Sequence, residues 1–360
     1  MKKRVLMAMS GGIDSSVAAI LLLEQGYELV GVTFRTFDSE QEPGAASGKG
    51  GSTEDAITEA RQLAEKLGFE HHVLDARKEF RETVIQNFID EYLQCHTPNP
   101  CVLCNKVIKW GLLFEMMKKL GCDFLATGHY AQIVHENNRS FLRQGVDVLK
   151  DQSYFLWRLS QEALQRGIFP LGGLTKNEVR AIANNHGFFK LTEKKESEEI
   201  CFIPDNNYRN FLEKEIPDIH ERMPQGNYVG IDGKILGTHG GLYNYTIGQR
   251  KGLGIALGAP AYVLNMNTAN NTVIVGTDKS VMMIDSLTLH DVEYMKYGAI
   301  PDGFRANCKV RYRGKMEPVE CVANESTLTV KFITPIEKIA VGQSVVVYEG
   351  TDVVCGGIVG

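Results

Sequence analysis

The sequence predicts an α/β protein: a doubly wound parallel sheet, then a small central domain, then an antiparallel β-barrel. Three observations carry this. Apolar runs alternate with amphipathic helical stretches over the first half of the chain, the alternation stops near residue 206 in a glycine-rich segment, and short period-2 stretches follow from about residue 282. The expected domains are therefore 1–205, 206–281 and 282–360. A chain of 360 residues is too long for one core of ordinary size.

In chain order, Val5 to Met9 reads as a strand, Ser10-Gly11-Gly12-Ile13-Asp14-Ser15-Ser16 as a glycine turn, and Val17 to Leu23 as a helix. That layout turns backbone N–H groups and a helix N-terminus toward a phosphate chain. The run lacks the Gly-Lys-Ser/Thr ending of the ordinary P-loop. A carboxylate at Asp14 instead suits Mg²⁺ on a pyrophosphate, with the serine hydroxyls donating to its oxygens. The chemistry this suggests is adenylation with pyrophosphate leaving.

Leu29 to Arg35 is the second strand, and residues 38–51, without periodicity, read as a mobile surface loop. Ser52-Thr53-Glu54-Asp55 caps a helix whose stripe is Ala56, Ile57, Ala60, Leu63, Ala64 and Leu67, ended by Gly68. His72 to Asp75 is a third strand. Arg77 to Gln94 is a helix with Phe80, Val84, Phe88 and Tyr92 at helical spacing. Asn105 to Leu120 is a further helix, and Phe124 to Thr127 a strand ending in Gly128-His129. Ligands of such sheets sit beyond the carboxyl ends of the strands, where the Ser10 loop and Gly128-His129 both fall. The barrel strands are Ala306 to Tyr312, Val319 to Ala323, Leu328 to Ile333 and Ser344 to Tyr348. Lys309-Val310-Arg311-Tyr312-Arg313 alternates basic and apolar side chains, so one face suits a phosphate backbone.

Composition is globular, 43% hydrophobic and 23% charged, and no apolar run is long enough to span a bilayer. The Met-Lys-Lys-Arg start feeds straight into a strand, unlike a signal peptide, so a cytoplasmic protein without membrane partners is expected. A net charge of −5 argues against generic polyanion binding and leaves local basic clusters to do any such work.

Eight cysteines are too sparse for a disulfide scaffold. Cys101-Val102-Leu103-Cys104 immediately precedes the Asn105 helix, which puts Cys104 at or beside its N-cap. The helix dipole there favours a thiolate, and Lys106 adds to it. A zinc site needs a second such pair, which the chain lacks, and a thioredoxin-type motif belongs in a much smaller domain. The third reading is a nucleophile awaiting a distant thiol, for which Cys201 in Ile200-Cys201-Phe202-Ile203-Pro204 is the candidate.

Eight segments occur in order: the Ser10–Ser16 run, Thr97-Pro98-Asn99-Pro100, Cys104-Asn105-Lys106, Ala126-Thr127-Gly128-His129-Tyr130, Lys150-Asp151-Gln152-Ser153-Tyr154-Phe155, Ile200–Ile203, Thr246–Gly254 and Val310–Arg313. Together they make the whole chain resemble the tRNA 2-thiouridylases, the bacterial wobble-uridine thiolases of the PP-loop (adenine-nucleotide α-hydrolase) superfamily. The resemblance implies a PP-loop ATP-binding domain, a central domain and a tRNA-contacting barrel. It implies ATP with Mg²⁺, a tRNA of the Lys, Glu or Gln type with uridine at the wobble position, and a persulfide donor, either a cysteine desulfurase or a sulfur-relay protein. By matching position it implies ATP contacts at Ala8, Met9, Ser10, Gly11, Gly12, Ile13, Asp14, Ser15, Phe34 and Gly128. Cys104 matches the nucleophile and Cys201 the persulfide carrier, joined in a transient disulfide. Asn99, Pro100, Cys101, His129, Lys150, Asp151, Gln152, Arg311, Tyr312 and Gln343 match tRNA-contacting positions.

The chain departs from the family at two places. Cys101 stands where Asp is usual, and Glu196-Ser197-Glu198-Glu199 replaces Asp-Ser-x-Gly before Ile200-Cys201. The lost glycine changes backbone freedom beside Cys201, and the added carboxylate raises its pKa. Cys101, Cys104 and Cys201 also make the three-thiol set of the PP-loop thiolases that hold an iron–sulfur cluster, an alternative to the persulfide route. Two other functions compete: an amidating PP-loop ligase, which needs neither Cys104 nor Cys201, and a tRNA-binding protein that keeps the nucleotide loop without catalysis.

Overall fold

The computed structural model describes residues 2–37, 54–193, 200–255 and 257–360. The expected loop at 38–51 and the Glu196–Glu199 departure lie outside the described residues. The first strands are β1 (Arg4–Ala8), β2 (Glu28–Arg35), β3 (Glu70–Asp75) and β4 (Phe124–Ala126); the short β7 (Gly167–Ile168) follows a hairpin of β5 (Ala131–Glu136) and β6 (Arg139–Gln144). Five of these form one parallel sheet in the order β3-β2-β1-β4-β7. The chain winds outward from β1 in one direction and then in the other, so the switch point lies between β1 and β4. Val5, Leu6 and Met7 on β1 are wholly buried, as a central parallel strand covered on both faces requires.

Helices α1 (Ile13–Glu24) and α2 (Glu54–Leu67) cover this sheet. The expected Arg77 helix is present as α3, made of Arg77–Phe80, a π segment Arg81–Ile85 and Gln86–Leu93. The next helix departs from expectation. It begins at Pro100, not Asn105: Pro100–Cys104 leads without a break into a π segment, Asn105–Leu112, and then Leu113–Lys119, together α4. Proline at the first helical position needs no N–H partner and is pre-set in φ, which is why the start moved forward.

The central unit is a four-stranded sheet, β10-β11-β8-β9, built from β8 (Gly226–Val229), β9 (Ile235–His239), β10 (Tyr262–Asn267) and β11 (Thr272–Gly276). One apolar core joins it to the first unit: Phe80, Phe88, Cys104, Ile108 and Phe202 pack with Tyr228, Tyr243 and Val263. The last unit runs through β12 (Met283–Tyr294), β13 (Phe304–Lys309), β14 (Glu317–Ala323), β15 (Leu328–Glu337), β16 (Ser344–Glu349) and β17 (Asp352–Val359). Because β12 pairs with both β15 and β17, these six strands close into an antiparallel barrel, which removes its edges. The β5–β6 hairpin adds to the barrel through the Arg143–Asp352 pairing, so the first unit reaches into the last.

The charged strand expected at 306–312 stops at Lys309, where the chain turns and Gly314 N–H donates to the Arg311 carbonyl. Lys309 does not face outward. Its Nζ lies 3.3 Å from Asp151 Oδ2 in a buried ion pair across two units. Asp151 also accepts from Gln144 Nε2 (2.9 Å), Gly145 N–H (3.1 Å), Ser153 N–H (3.1 Å) and Ser153 Oγ (3.0 Å). Tyr154 Oη then donates to the Ser344 carbonyl of β16 at 2.8 Å. Asp151 is thus the polar node that fixes the segment 150–155 to the barrel. Asp151→Ala strands a buried ammonium and four donors, so it should lower unfolding free energy by about 3–5 kcal/mol, read from denaturant melts; a loss below about 1 kcal/mol would contradict this role.

Candidate active site

The turn between β1 and α1 is held by its own serines. Ser10 N–H donates to Ser15 Oγ at 3.1 Å, and Ser15 Oγ and Ser16 Oγ both bond the Gly12 carbonyl, at 3.2 and 2.8 Å. Gly11 has φ +68°, and a Cβ there would lie 2.6 Å from the Ala56 carbonyl oxygen of α2. Only glycine fits that conformation and that gap. Across the switch point, a Cβ on Gly128 would lie 2.8 Å from Ser15 N and 2.9 Å from Asp14 C. The end of β4 therefore rests directly on the first turn of α1, and Ala8 to Ser15 share one crevice with Gly128. Phe34, the last but one residue of β2, packs half-buried against the sheet core.

Two partners of Asp14 were not read from the sequence. Tyr130 Oη donates to Asp14 Oδ1 at 2.7 Å, and Lys176 Nζ approaches the same oxygen at 2.7 Å. Lys176 opens the helix α5 (Lys176–Asn185), capped by Thr175 and Glu178 in a reciprocal capping box. That Thr-x-x-Glu signature is legible in the sequence; that it delivers a lysine to a loop 162 residues earlier is not. The loop run has no cation of its own, and the fold supplies one.

The cysteines come together as expected, but not in the expected ionisation. Cys104 is the fifth residue of α4, buried in the core shared with the central unit, and Cys201 packs half-buried against the same core. Both are free thiols, as is Cys101. Cys101 is exposed, yet the protein around it raises its pKa. Burial pushes Cys104 up to about 11 and Cys201 up to about 12, the latter helped by the neighbouring Cys104 and Cys101. The thiolate anticipated from a helix N-cap is thus corrected. The N-cap is Asn99, one full turn earlier, and desolvation outweighs any dipole at Cys104.

The cation is corrected as well. Lys109, not Lys106, lowers the pKa of all three thiols and of His129. In the π segment that starts at Asn105, residues five apart lie over one another, which brings Lys109 back above Cys104. Lys106 instead faces Glu293 of the barrel. Among the described residues no group of three or more His, Cys, Asp or Glu side chains is arranged to hold a metal ion, and the three thiols of the cluster reading are no exception.

The expected tRNA-contacting positions fall into three sets. Asn99, Pro100 and Cys101 form the first turn of α4, and the Asn99 side chain reaches the Tyr154 hydroxyl. Arg311 is exposed beside it, and Tyr312 packs on Phe155 with ring centroids 4.4 Å apart. Lys150 follows the open loop tip of Val148 and Leu149, which are 76% and 89% exposed. Apart from the buried Pro100, these residues are partly or fully exposed. Asp151 is not exposed: its side chain is buried with both oxygens bonded within the protein. Gln152 Oε1 accepts from Tyr130 N–H at 3.0 Å, and Gln343 Nε2 donates to the Thr97 carbonyl at 2.7 Å, so both brace the site from within. His129 bonds Thr127 Oγ1 through Nδ1 at 2.6 Å, and burial with the nearby Lys109 lowers its pKa to about 3. It is a neutral imidazole, not a cation for phosphate. Asn105, missed in the sequence, is buried and donates to the Phe155 carbonyl at 3.1 Å, tying the cysteine helix to segment 150–155.

Two measurements follow. With both thiols protonated at neutral pH, alkylation of Cys104 and Cys201 should quicken about tenfold per pH unit up to about pH 11. Lys109→Met should slow that reaction severalfold at pH 8, and an unchanged or faster rate would contradict the assignment. For His129 the folded pKa lies below the unfolded 6.5, so its stabilisation is complete above pH 6.5 and is lost as pH falls toward 3. At pH 5 the cost is about 2 kcal/mol, and His129→Gln should flatten that part of the stability–pH curve; a curve of unaltered slope would speak against a buried neutral ring.

Three family models match in order: the tRNA methyl transferase HUP domain over residues 3–205, the tRNA methyl transferase PRC-barrel domain over 209–277 and the aminomethyltransferase beta-barrel domain over 284–359. Among curated relatives, the tRNA-specific 2-thiouridylase MnmA of Cytophaga hutchinsonii is 47% identical, covering 99% of this chain and 97% of its own. That of Amoebophilus asiaticus is 48% identical over 99% and 95%, and that of Carboxydothermus hydrogenoformans 42% over 99% and 98%. No helix among the described residues is long and apolar enough to cross a membrane. With these identities over nearly the full length of both partners, the chain belongs to the tRNA-specific 2-thiouridylase family.

Proposed function

We propose that this chain replaces the C2 oxygen of a wobble uridine in tRNA by sulfur, using ATP and a cysteine persulfide. The observation that carries the reading is the meeting of Cys104 and Cys201, 97 positions apart in sequence, in one core beside Lys109 and His129. The proposed division of labour is 1–205 for ATP and chemistry, 206–281 as the central unit and 282–360 for tRNA.

Uracil O2 is a poor leaving group. In the proposed reaction ATP binds along Ala8–Ser15, Phe34 and Gly128, and O2 attacks the α-phosphorus, releasing pyrophosphate. The partly exposed Asp14 carboxylate suits the Mg²⁺ that accompanies the nucleotide, supplying charge neutralisation on the phosphates. Cys201 receives a sulfane sulfur from a cysteine desulfurase or relay protein. The terminal sulfur of Cys201–S–S⁻ attacks C2 and AMP leaves. The Cys104 thiolate then attacks the Cys201 sulfur, forming the Cys104–Cys201 disulfide and leaving the second sulfur on the base as the thiocarbonyl. A reductant returns both thiols for the next turnover.

Burial explains the resting state. Two protonated thiols are poor nucleophiles, so the site stays inert until sulfur arrives; a persulfide S–H is more acidic than a thiol and ionises more readily beside Lys109. The base must leave its stack to reach this cleft, which costs less in an anticodon loop of the tRNA Lys, Glu or Gln type than in a duplex. Lys150, Arg311 and Tyr312 are the proposed anchors for that loop, and the cytoplasm the proposed compartment.

Mass spectrometry of tRNA nucleosides tests the function. Cells lacking this protein should lose 2-thiouridine derivatives, and Cys201→Ala should restore none. Purified Cys201→Ala should still release pyrophosphate from ATP with tRNA while thiolation falls about a hundredfold or more. Normal 2-thiouridine without the protein would overturn the assignment, and a Cys104→Ser variant that keeps its full ATP turnover would favour an amidating ligase.

A further inference from the structure

The reaction proposed above leaves a disulfide inside the protein and gives Cys101 no task. Cys104 is 9% exposed and Cys201 lies half-buried against the same core, whereas Cys101 alone of the three is exposed. A protein reductant must bring its own sulfur against a disulfide sulfur, so a bond between Cys104 and Cys201 is shielded from it. Cys101 stands one helical turn before Cys104, at i and i+3 of the α-helical stretch Pro100–Cys104. Residues so spaced share one helix face with Cα atoms about 5 Å apart, inside the range of about 4.4–6.8 Å that a disulfide spans. Cys101 is also near enough to both other thiols for its charge to raise their pKa. Among the described residues the three thiols are not arranged to hold a metal ion, which leaves sulfur chemistry as their common use.

We propose that Cys101 is the resolving thiol of this site, which carries the disulfide left by sulfur transfer outward to a protein dithiol. The proposal rests on the persulfide reading above. Cys101 loses its proton and its sulfur attacks Cys104 Sγ. The Cys101–Cys104 bond forms, the Cys104–Cys201 bond breaks, and the departing Cys201 sulfur takes up a proton. This exchange involves no net oxidation or reduction, and it frees Cys201 for the next sulfane sulfur. A dithiol of the thioredoxin class then attacks Cys101 Sγ, its second sulfur closes its own disulfide, and its two electrons and two protons leave Cys101 and Cys104 as thiols. The helix holds the attacking thiol beside its target, which favours the internal step over attack from solution. A bridge across one helical turn with an exposed end is of the labile kind. Without reductant the Cys104–Cys201 bond therefore predominates, and with reductant the site drains through Cys101.

Reduction of the full chain, without ATP or tRNA, tests the proposal. Protein oxidised with diamide is mapped by peptide mass spectrometry, mixed with thioredoxin as the protein dithiol, quenched in acid and assayed for free thiols. Cys101→Ser should slow the reduction about tenfold or more, because an internal attack gives way to one from solution. Thioredoxin with its second cysteine replaced stops at the mixed disulfide, and it should be captured on Cys101. In Cys201→Ser, oxidation should link Cys101 to Cys104, a result that decides the geometry even if Cys101→Ser does not fold. Capture on Cys104 or Cys201, an equal rate of reduction without Cys101, or a Cys201→Ser protein that keeps both remaining thiols free after oxidation would each overturn the proposal. If oxidation of the unaltered protein never joins Cys104 to Cys201, the disulfide step of the persulfide reading fails instead.

Discussion

The site depends on one close approach. Because Gly128 has no side chain, the end of β4 lies against the backbone of Asp14 and Ser15, at distances a Cβ would forbid. That contact closes the switch point between β1 and β4. It brings Tyr130 within bonding distance of Asp14 and sets His129 three residues beyond the wholly buried end of β4. Since α4 leads directly into β4, the same contact fixes where the cysteine helix starts relative to the phosphates. A Cβ here would force β4 off the first turn of α1, and small misplacements of reacting groups cost rate steeply.

A second junction joins the three units around Thr97. Its N–H donates to the Val341 carbonyl at 2.8 Å, its carbonyl accepts from Gln343, and its hydroxyl lies 3.2 Å from that of Thr246. Barrel, central unit and the first turn of α4 are thus bonded through one residue, directly before Pro98-Asn99-Pro100. Asn105 and Asp151 add two further ties, one from the cysteine helix to segment 150–155 and one from that segment to the barrel. The surfaces proposed to meet tRNA and the helix that carries Cys104 therefore share a frame.

Much of this was legible in the sequence because it follows from local period. The strand–glycine turn–helix at Val5–Leu23, the apolar stripe ending at Leu67, and the period-2 stretches at 319–323, 328–333 and 344–348 all appear near their expected positions. The nearness of Cys104 and Cys201 was anticipated through motif spacing and family resemblance. What escaped were long-range placements. Lys176 and Asp151 act through partners 162 and 158 residues away, a distance no window of sequence reports. The helix starts five residues before the expected Asn105 because Pro100 opens it. Lys106 was read as the neighbouring cation because it lies two residues from Cys104 in sequence, whereas Lys109, within the π segment, is the cation that acts on the thiols. The strand of basic residues failed because Lys309 answers a buried carboxylate rather than solvent.

The central claim is that Cys201 delivers sulfur and Cys104 takes its place on the departing thiol. A single turnover is the most direct measurement: protein loaded with one persulfide sulfur on Cys201 is mixed with ATP and tRNA in the absence of reductant, quenched with an alkylating reagent and mapped by peptide mass spectrometry. The account predicts a Cys104–Cys201 disulfide that rises in step with 2-thiouridine, one per base modified. Thiolated tRNA accompanied by alkylated, unlinked Cys104 and Cys201 would contradict it.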